Sequence, residues 1–327
     1  MRKLLLTSSA LVAAASISSY AVADVSVTGA FEWKYTQQAA DVTSKDGDSF
    51  HTDNEVVIKF TNKTDSGLTV TGKVELDVDG GQPAGSGNTV NDESVLSISG
   101  GFGKLVLGGN DGVGDNYGVS STDLPAEEIY ATSTTTTIAI KNSDISGLEG
   151  DASKIAYHLP AMGGLTAGIS YTDSGAAGSS DTTQVGFKYS MDAAGASITL
   201  GGATGTTENS TQDIDSQVLG VKVASGNISA VVSQATYEAS GIDEESNGAS
   251  VQFKVSDGMT FTLHTVKTED DGNSEEYTNT GAEIAYTIAS GLTAYVNVED
   301  YDYKVGTSTG NTADSGTVSK LTIKATF

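Results

Sequence analysis

Residues 320–327 read Lys320-Leu321-Thr322-Ile323-Lys324-Ala325-Thr326-Phe327, and their alternation decides the fold. Leu321, Ile323, Ala325 and Phe327 fall on one face of an extended chain; Lys320, Thr322, Lys324 and Thr326 fall on the other. Period two marks a β-strand with unlike faces, because successive side chains point to opposite sides. The pattern recurs along the chain. Val25, Val27, Phe31, Trp33 and Tyr35 share a face, with Gly29 as a gap, and Leu68, Val70, Val74, Leu76 and Val78 share another, with Gly72 as the gap. Leu165 to Tyr171, Val185 to Met191, Ala249 to Val255 and Ala282 to Ile288 repeat it. No 3.6-residue pattern of any length competes with it.

The connectors carry the second signal. Seven short glycine-containing turns lie at 61–67, 99–103, 160–164, 191–195, 224–226, 256–258 and 289–291. Glycine supplies the positive φ that such turns need. Eight longer polar segments lie between them, at 36–53, 79–92, 110–152, 173–182, 203–214, 238–247, 267–279 and 304–316. Short and long connectors alternate strictly. Fifteen connections make sixteen strands, and sorting by parity places turns at one rim and loops at the other. A β-sandwich has no reason to sort its connectors this way. Many segments run about 9–11 residues, enough to cross a bilayer at a tilt. Lipid cannot satisfy backbone amides, so the sheet must close on itself. The expected fold is all-β: a 16-stranded antiparallel transmembrane barrel with short periplasmic turns and long extracellular loops.

Residues 1–23 read as a cleaved secretory leader. Arg2 and Lys3 precede an apolar run from Leu4 to Ala15, and Ala21-Val22-Ala23 is a small-residue cleavage site. The run is too short for a spanning helix. A single barrel domain over 24–327 follows, in the outer membrane of a Gram-negative cell. Without Arg2 and Lys3, 15 basic residues face 42 acidic ones, a net charge of −27. That argues against nucleic acid as a partner, which needs basic patches to replace phosphate counterions. The chain has no cysteine, hence no disulfide and no thiolate metal site. Its 39 glycines and 3 prolines suit many tight turns and few breaks in the ladder. Trp33, Tyr35, Tyr171, Tyr237, Tyr301 and Tyr303 near the loop ends, with Phe60, Tyr189 and Phe327 near the turn ends, are expected to form interfacial girdles.

The faces opposite the apolar ones are polar: Glu32 and Lys34, Lys59, Lys73 with Glu75 and Asp77, Lys104, Lys154 with His158, Lys188, Lys222, Lys254, His264, Glu283, Lys320 and Lys324. A barrel of about 16 strands is wide enough for an aqueous channel, so these charges are expected in water inside it. Segment 110–152 is the outlier at 43 residues. It is strongly acidic, with one base, Lys141, and it carries Leu124, Ile129, Ile138 and Ile140, which need something to pack on. Two readings stand: a loop folded into the lumen that lines a constriction with carboxylates, or an acidic surface loop.

The segment GFGKLVLGGNDGVGDN, Gly101 to Asn116, resembles the entry to the third loop of Gram-negative general porins. The start DVSVTGAFEW, Asp24 to Trp33, is similar to the first strand of the α-proteobacterial branch of that family, and terminal Phe327 to its C-terminal assembly signal. The resemblance implies a homotrimer of 16-stranded barrels with the third loop folded inward and a transverse field across the pore. Carried over by position, the constriction acids would be Asp111, Asp115, Asp123, Glu127 and Glu128, and the wall bases Lys34, Lys59, Lys73 and Lys324. It also implies outer-membrane lipid, lipopolysaccharide and the barrel assembly machinery as partners. The chain departs from the family at Gly109, where relatives often carry arginine; its one arginine is Arg2, so flexible lysines must serve on the wall.

The expected function is a water-filled channel for passive diffusion of small hydrophilic solutes and ions, cation-preferring because its potentials are negative. A solute-selective channel and a plugged structural or adhesive barrel are the alternatives. No enzyme is expected: His51, His158 and His264 have no identifiable catalytic partner, and HTDNE (51–55) lacks metal-motif spacing. No cofactor is expected either, except that Ca²⁺ would relieve repulsion within acidic segments 238–247 and 267–279.

Overall fold

The computed structural model describes residues 23–42, 46–77, 91–125, 152–173, 180–208, 213–307 and 312–327. Leader residues 1–22 lie outside these, as do Glu127 and Glu128. Sixteen strands are present: β1 (Asp24–Ala40), β2 (Gly47–Lys63), β3 (Thr69–Asp77), β4 (Ser94–Gly100), β5 (Gly103–Gly109), β6 (Ser153–His158), β7 (Leu165–Thr172), β8 (Asp181–Ala193), β9 (Ala196–Glu208), β10 (Ile214–Ser225), β11 (Ile228–Ala239), β12 (Ile242–Ser256), β13 (Met259–Asp270), β14 (Glu275–Ala289), β15 (Leu292–Lys304) and β16 (Asp314–Thr326). Each pairs antiparallel with its chain neighbours, and β1 pairs with β16 to close the barrel. At that seam Trp33 faces Ile323 and Tyr35 faces Leu321 across the ladder. Phe327 continues it, exchanging backbone hydrogen bonds with Gly29, and its ring lies 2.9 Å from where a Cβ on Gly29 would stand. Glycine is required there so that the ring can lie flat on β1.

The outward face is apolar and uncovered. Val27, Phe31, Ile169, Phe187, Leu219, Val232 and Ile284 are all exposed, as side chains facing hydrocarbon must be in the isolated chain. The inward positions alternate with them and carry the expected charges.

The strands are longer than the hydrophobic pattern predicts. Segments 238–247 and 267–279, expected as loops, are mostly hairpin: β11 and β12 join through Ser240-Gly241, and β13 and β14 through residues 271–274. The cause is an inversion of polarity along strands such as β15, with the facing of alternate residues unchanged. On β15, Ala294, Val296 and Val298 face out and Thr293 and Asn297 face in; above them Asp300, Asp302 and Lys304 face out and Tyr301 and Tyr303 face in. Beyond the hydrocarbon the outer face meets water and turns polar, while the inner face packs. Tyr277, Tyr301, Tyr303, Val266 and Val318 form a buried cluster there. Tyr237, Tyr301 and Tyr303 are therefore inward and 8%, 1% and 1% exposed, not members of a lipid-facing girdle. Trp33, Tyr35 and Tyr171 do face outward, as do Phe60, Tyr189 and Phe327.

The long rim is also less loose than its acidity suggests. Lys267 bridges Glu269 and Glu276 at 2.7 and 3.2 Å, and Lys304 reaches Glu276 at 2.5 Å. Interleaved lysines relieve the repulsion for which Ca²⁺ was invoked. Among the described residues no group of three or more His, Asp or Glu side chains is placed to hold a metal ion.

Candidate functional site: the inner wall and the segment after β5

The chain leaves β5 at Gly109 and turns into the barrel. Residues 110–125 lie along the inner wall, with a one-turn helix α1 (Val113–Tyr117) touching β7, β8 and β9, and a 3-10 turn at Ser121–Asp123 touching β11, β12 and β13. The wall is cut to receive them. Inward-facing Gly168, Gly186, Gly201 and Gly220 form a row on β7 to β10, and a Cβ on any of them would strike Val113, Tyr117 or Val119 at 2.9 Å or closer. Removing side chains from the wall lets backbone meet backbone.

Hydrogen bonds fix the seat. Val113 N donates to Ser170 Oγ at 3.3 Å, Gly114 N to Gln184 Oε1 at 2.6 Å and Ser121 N to Ser233 Oγ at 2.9 Å. Gln252 Nε2 donates to Leu124 O at 2.8 Å and Lys222 Nζ to Asp123 O at 3.2 Å. The Tyr117 hydroxyl donates to Ala167 O at 3.1 Å, so His158 Nδ1, 2.8 Å away, must be the protonated nitrogen that donates to it. Val113, Tyr117, Val119 and Leu124 are buried against the wall, while Asp111, Asp115, Asn116 and Asp123 stay open on the other side. The segment is thus two-faced, apolar to the wall and acidic to the lumen. Crowding by the wall raises the Asp123 carboxyl above the usual range, against the opposing pull of Lys222 and Lys188.

The wall bases divide into two kinds. Lys34 sits between Glu32 and Asp53, at 2.7 Å from each, and Lys324 reaches Glu32 at 2.5 Å. Lys73 bridges Glu75 at 2.8 Å and also Glu93. Lys59 is exposed on the inner face, as is Lys104 on β5, and among the described residues neither has a carboxylate partner. Of the bases carried over by position, Lys59 alone has no carboxylate partner among the described residues, and Lys104, outside that set, stands beside it on the inner face. A cavity of about 170 Å³ lies between this wall and the root of the segment, lined by Lys73, Lys104, Asp111, Asn116 and His158 among others.

The seat was not foreseen, because Ser170, Gln184 and Ser233 lie 57, 70 and 112 residues from their partners. A signal was present in hindsight: glycine recurring on polar, inward positions of four consecutive strands.

Catalysis finds no support here. Ser250 and His264 are paired across β12 and β13, and His264 Nε2 is 2.8 Å from Glu299. Ser250 Oγ and His264 Nδ1 nonetheless make no hydrogen bond, and Ser250 and Glu299 are buried. A hydrolytic relay would need that first contact.

The model of a family described as Gram-negative porin matches residues 7–306. No curated protein sequence matches significantly. Solved structures match over nearly the whole chain. The anion-selective porin of Comamonas acidovorans is 17% identical with a TM-score of 0.66, covering 94% of this chain and 100% of its own. OmpT, an outer membrane protein of Vibrio cholerae in a trimer form, is 15% identical with a TM-score of 0.67, covering 93% and 99%. A mutant of the Rh. blastica porin is 16% identical with a TM-score of 0.66, covering 93% and 100%. With a family match over most of its length and a closed barrel of sixteen strands, the chain belongs to the Gram-negative porins, channels of the outer membrane.

Proposed function

We propose that this porin is a diffusion channel for small hydrophilic solutes and ions, that it prefers cations, and that no cofactor takes part. The observation that carries the preference is the two-faced segment 110–125, whose Asp111, Asp115 and Asp123 open to the lumen while its apolar side is fixed to the wall. Lys34, Lys73 and Lys324 are each bound to carboxylates and oppose cation passage little. Fixed negative charge in a narrow passage raises the local cation concentration. The test is the reversal potential of the purified protein in a planar bilayer under a KCl gradient. A cation-sign potential is expected; zero or anion sign overturns the preference, and absence of conductance overturns the channel in favour of a plugged barrel.

A second reading has its own observation. The cavity beside Lys104 offers an amine on the wall and Asp111 with Asn116 on the facing segment. That pairing suits a small dipolar solute and supports a solute-selective channel. Current block by an added amino acid, lost in Lys104→Met, would favour it over simple diffusion.

Self-association as a homotrimer is part of the proposal. An aromatic patch faces outward on β1 and β2, with the Phe50 ring stacked 5.6 Å from Trp33 and tilted 5.0 Å from Tyr35. A second copy of the chain would cover it. Native mass spectrometry of the detergent-extracted protein checks the number of copies. Phe327 against Gly29 is the feature through which the last strand would be handed over by the assembly machinery; slow or failed barrel closure in Phe327→Ala is the expected result.

A further inference from the structure

The inner face of the barrel is sorted by charge along its axis. Register puts Lys59, Lys104, Lys188 and Lys222 on inward positions, each within five residues of the short-turn end of its strand. Strands β3, β12 and β16 carry a lysine at the same depth. Among the described residues, the inward carboxylates that low are Asp24 and Asp192.

Farther from that rim the sign reverses. Glu55 and Asp77 point inward on β2 and β3, as do Glu244, Glu275 and Asp314 on β12, β14 and β16. Asp111 joins them two residues past the long-loop end of β5. The described lysines on this upper part of the inner face are Lys34, Lys154 and Lys320. The lower charges are also the more available ones. Among the described residues Lys59, Lys104, Lys188 and Lys222 form no ion pair, whereas Lys34 is held between Glu32 and Asp53.

A positive tier concentrates anions in the water beside it, and a negative tier concentrates cations. One unscreened unit charge about 10 Å away changes the local concentration of an ion about twofold in water. With the long-loop side positive, cations enter through the acidic tier and anions enter past the lysines. Each ion is then supplied from the end where it is plentiful, and carriers fill the lumen. With the sign reversed, each must enter past like charge, and the lumen is depleted. A lumen acidic throughout would prefer cations equally in both directions; the lysine tier is what makes direction matter.

Given an open lumen, as the diffusion channel requires, we propose that this channel rectifies. It passes cations toward the short-turn side, and anions the other way, more readily than the reverse.

The test is the single-channel current of the purified full-length protein in symmetric KCl, under voltage steps of equal size and opposite sign. Current is read at the start of each step, before any slow closure. At 0.1 M, where screening reaches about 10 Å, current should be about twofold larger with the long-loop side positive. At 1 M, where screening reaches about 3 Å, the ratio should approach one. The chain has no cysteine of its own, so biotin on Ser240→Cys, in the β11–β12 turn, marks the long-loop side. Streptavidin should attenuate the current only when added there. Combining Lys59→Gln, Lys188→Gln and Lys254→Gln should bring the ratio at 0.1 M close to one and move the reversal potential further toward cations. Migration as a folded barrel in unheated electrophoresis reports that this variant has closed, and the salt dependence of the parent stands without it. A conducting parent with a ratio of one at 0.1 M, a ratio of the opposite sense, or a ratio that 1 M salt and the lysine substitutions both leave unchanged overturns the rectifier and leaves the diffusion channel standing. Absence of conductance removes both.

Discussion

Replacing Gly220 by alanine tests the seat of segment 110–125 directly. The new Cβ would stand 2.0 Å from Val119 O and 2.8 Å from Val119 C, both backbone atoms that no rotamer change can move away. Ordinary contact begins near 3.4 Å, so residue 119 must retreat by about 1.4 Å, the difference from 2.0 Å, and the only free direction is the lumen. The segment is held on either side at Gly114 and Ser121, by bonds of 2.6 and 2.9 Å. A shift of that size stretches at least the Ser121 bond beyond hydrogen-bonding range, costing about 1 kcal/mol. It also uncovers part of Val119, which is 1% exposed, out of the roughly 1.5–3 kcal/mol that full burial of such a side chain is worth. Docking should weaken by about 2–3 kcal/mol in total. The barrel ladder is untouched, so the protein should still migrate as a folded barrel in unheated electrophoresis. In planar bilayers its single-channel current should be smaller and noisier than that of the parent. Gly47→Ala, where a Cβ meets nothing within 4 Å, is the control. A folded Gly220→Ala channel with parental current and noise would refute the seat.

Four further outcomes are expected. Because burial raises the Asp123 carboxyl, it gains its proton at higher pH than an ordinary aspartate. Cation preference should fall in two steps on acidification, and Asp123→Asn should remove the earlier one in reversal-potential titrations. By the same sign, the ionised Asp123 disfavours the folded state above its unfolded pKa, so Asp123→Asn should leave stability unchanged or higher at neutral pH in urea melts. Glu32→Gln would take one carboxylate from both Lys34 and Lys324 and so lower the negative charge of the wall; the reversal potential should move toward anions, and an unmoved value would count against this cluster acting on the pore. Ala194 holds a φ of 52° beside Gly195 at 80°, so Ala194→Gly should stabilise the β8–β9 hairpin by about 1 kcal/mol, read as a raised urea midpoint.

The strand count and closure were legible because hydrocarbon imposes one rule on every outward side chain, and Leu321, Ile323 and Ala325 obey it as Ala282 and Ile284 do. The upper halves were not legible. There the rule lapses, the large side chains Tyr301 and Tyr303 stand on the inner face, and a reading by hydrophobicity sees a loop where the ladder continues. In the candidate site, the open placement of Asp111, Asp115 and Asp123 goes with the burial of Val113, Tyr117, Val119 and Leu124 between them, a two-faced pattern that the residue types alone carry. The bases were less legible, since whether a lysine is free depends on cross-strand neighbours. Lys34 meets Asp53 through the β1–β2 register, and Lys73 meets Glu93, which precedes β4. Nothing in the order of residues distinguishes them from Lys59.

The inversion of polarity partway up strands such as β14 and β15 has a mechanical consequence. If the barrel sank, Asp300, Asp302 and Glu276 would be drawn into oil; if it rose, Val296, Val298 and Ile284 would be lifted into water. Either excursion is opposed all round the circumference, weakly per residue near the interface and more steeply with depth. The molecule therefore floats at a set draught, as a hull does at its waterline, and that level holds the acids of segment 110–125 at a fixed height in the membrane.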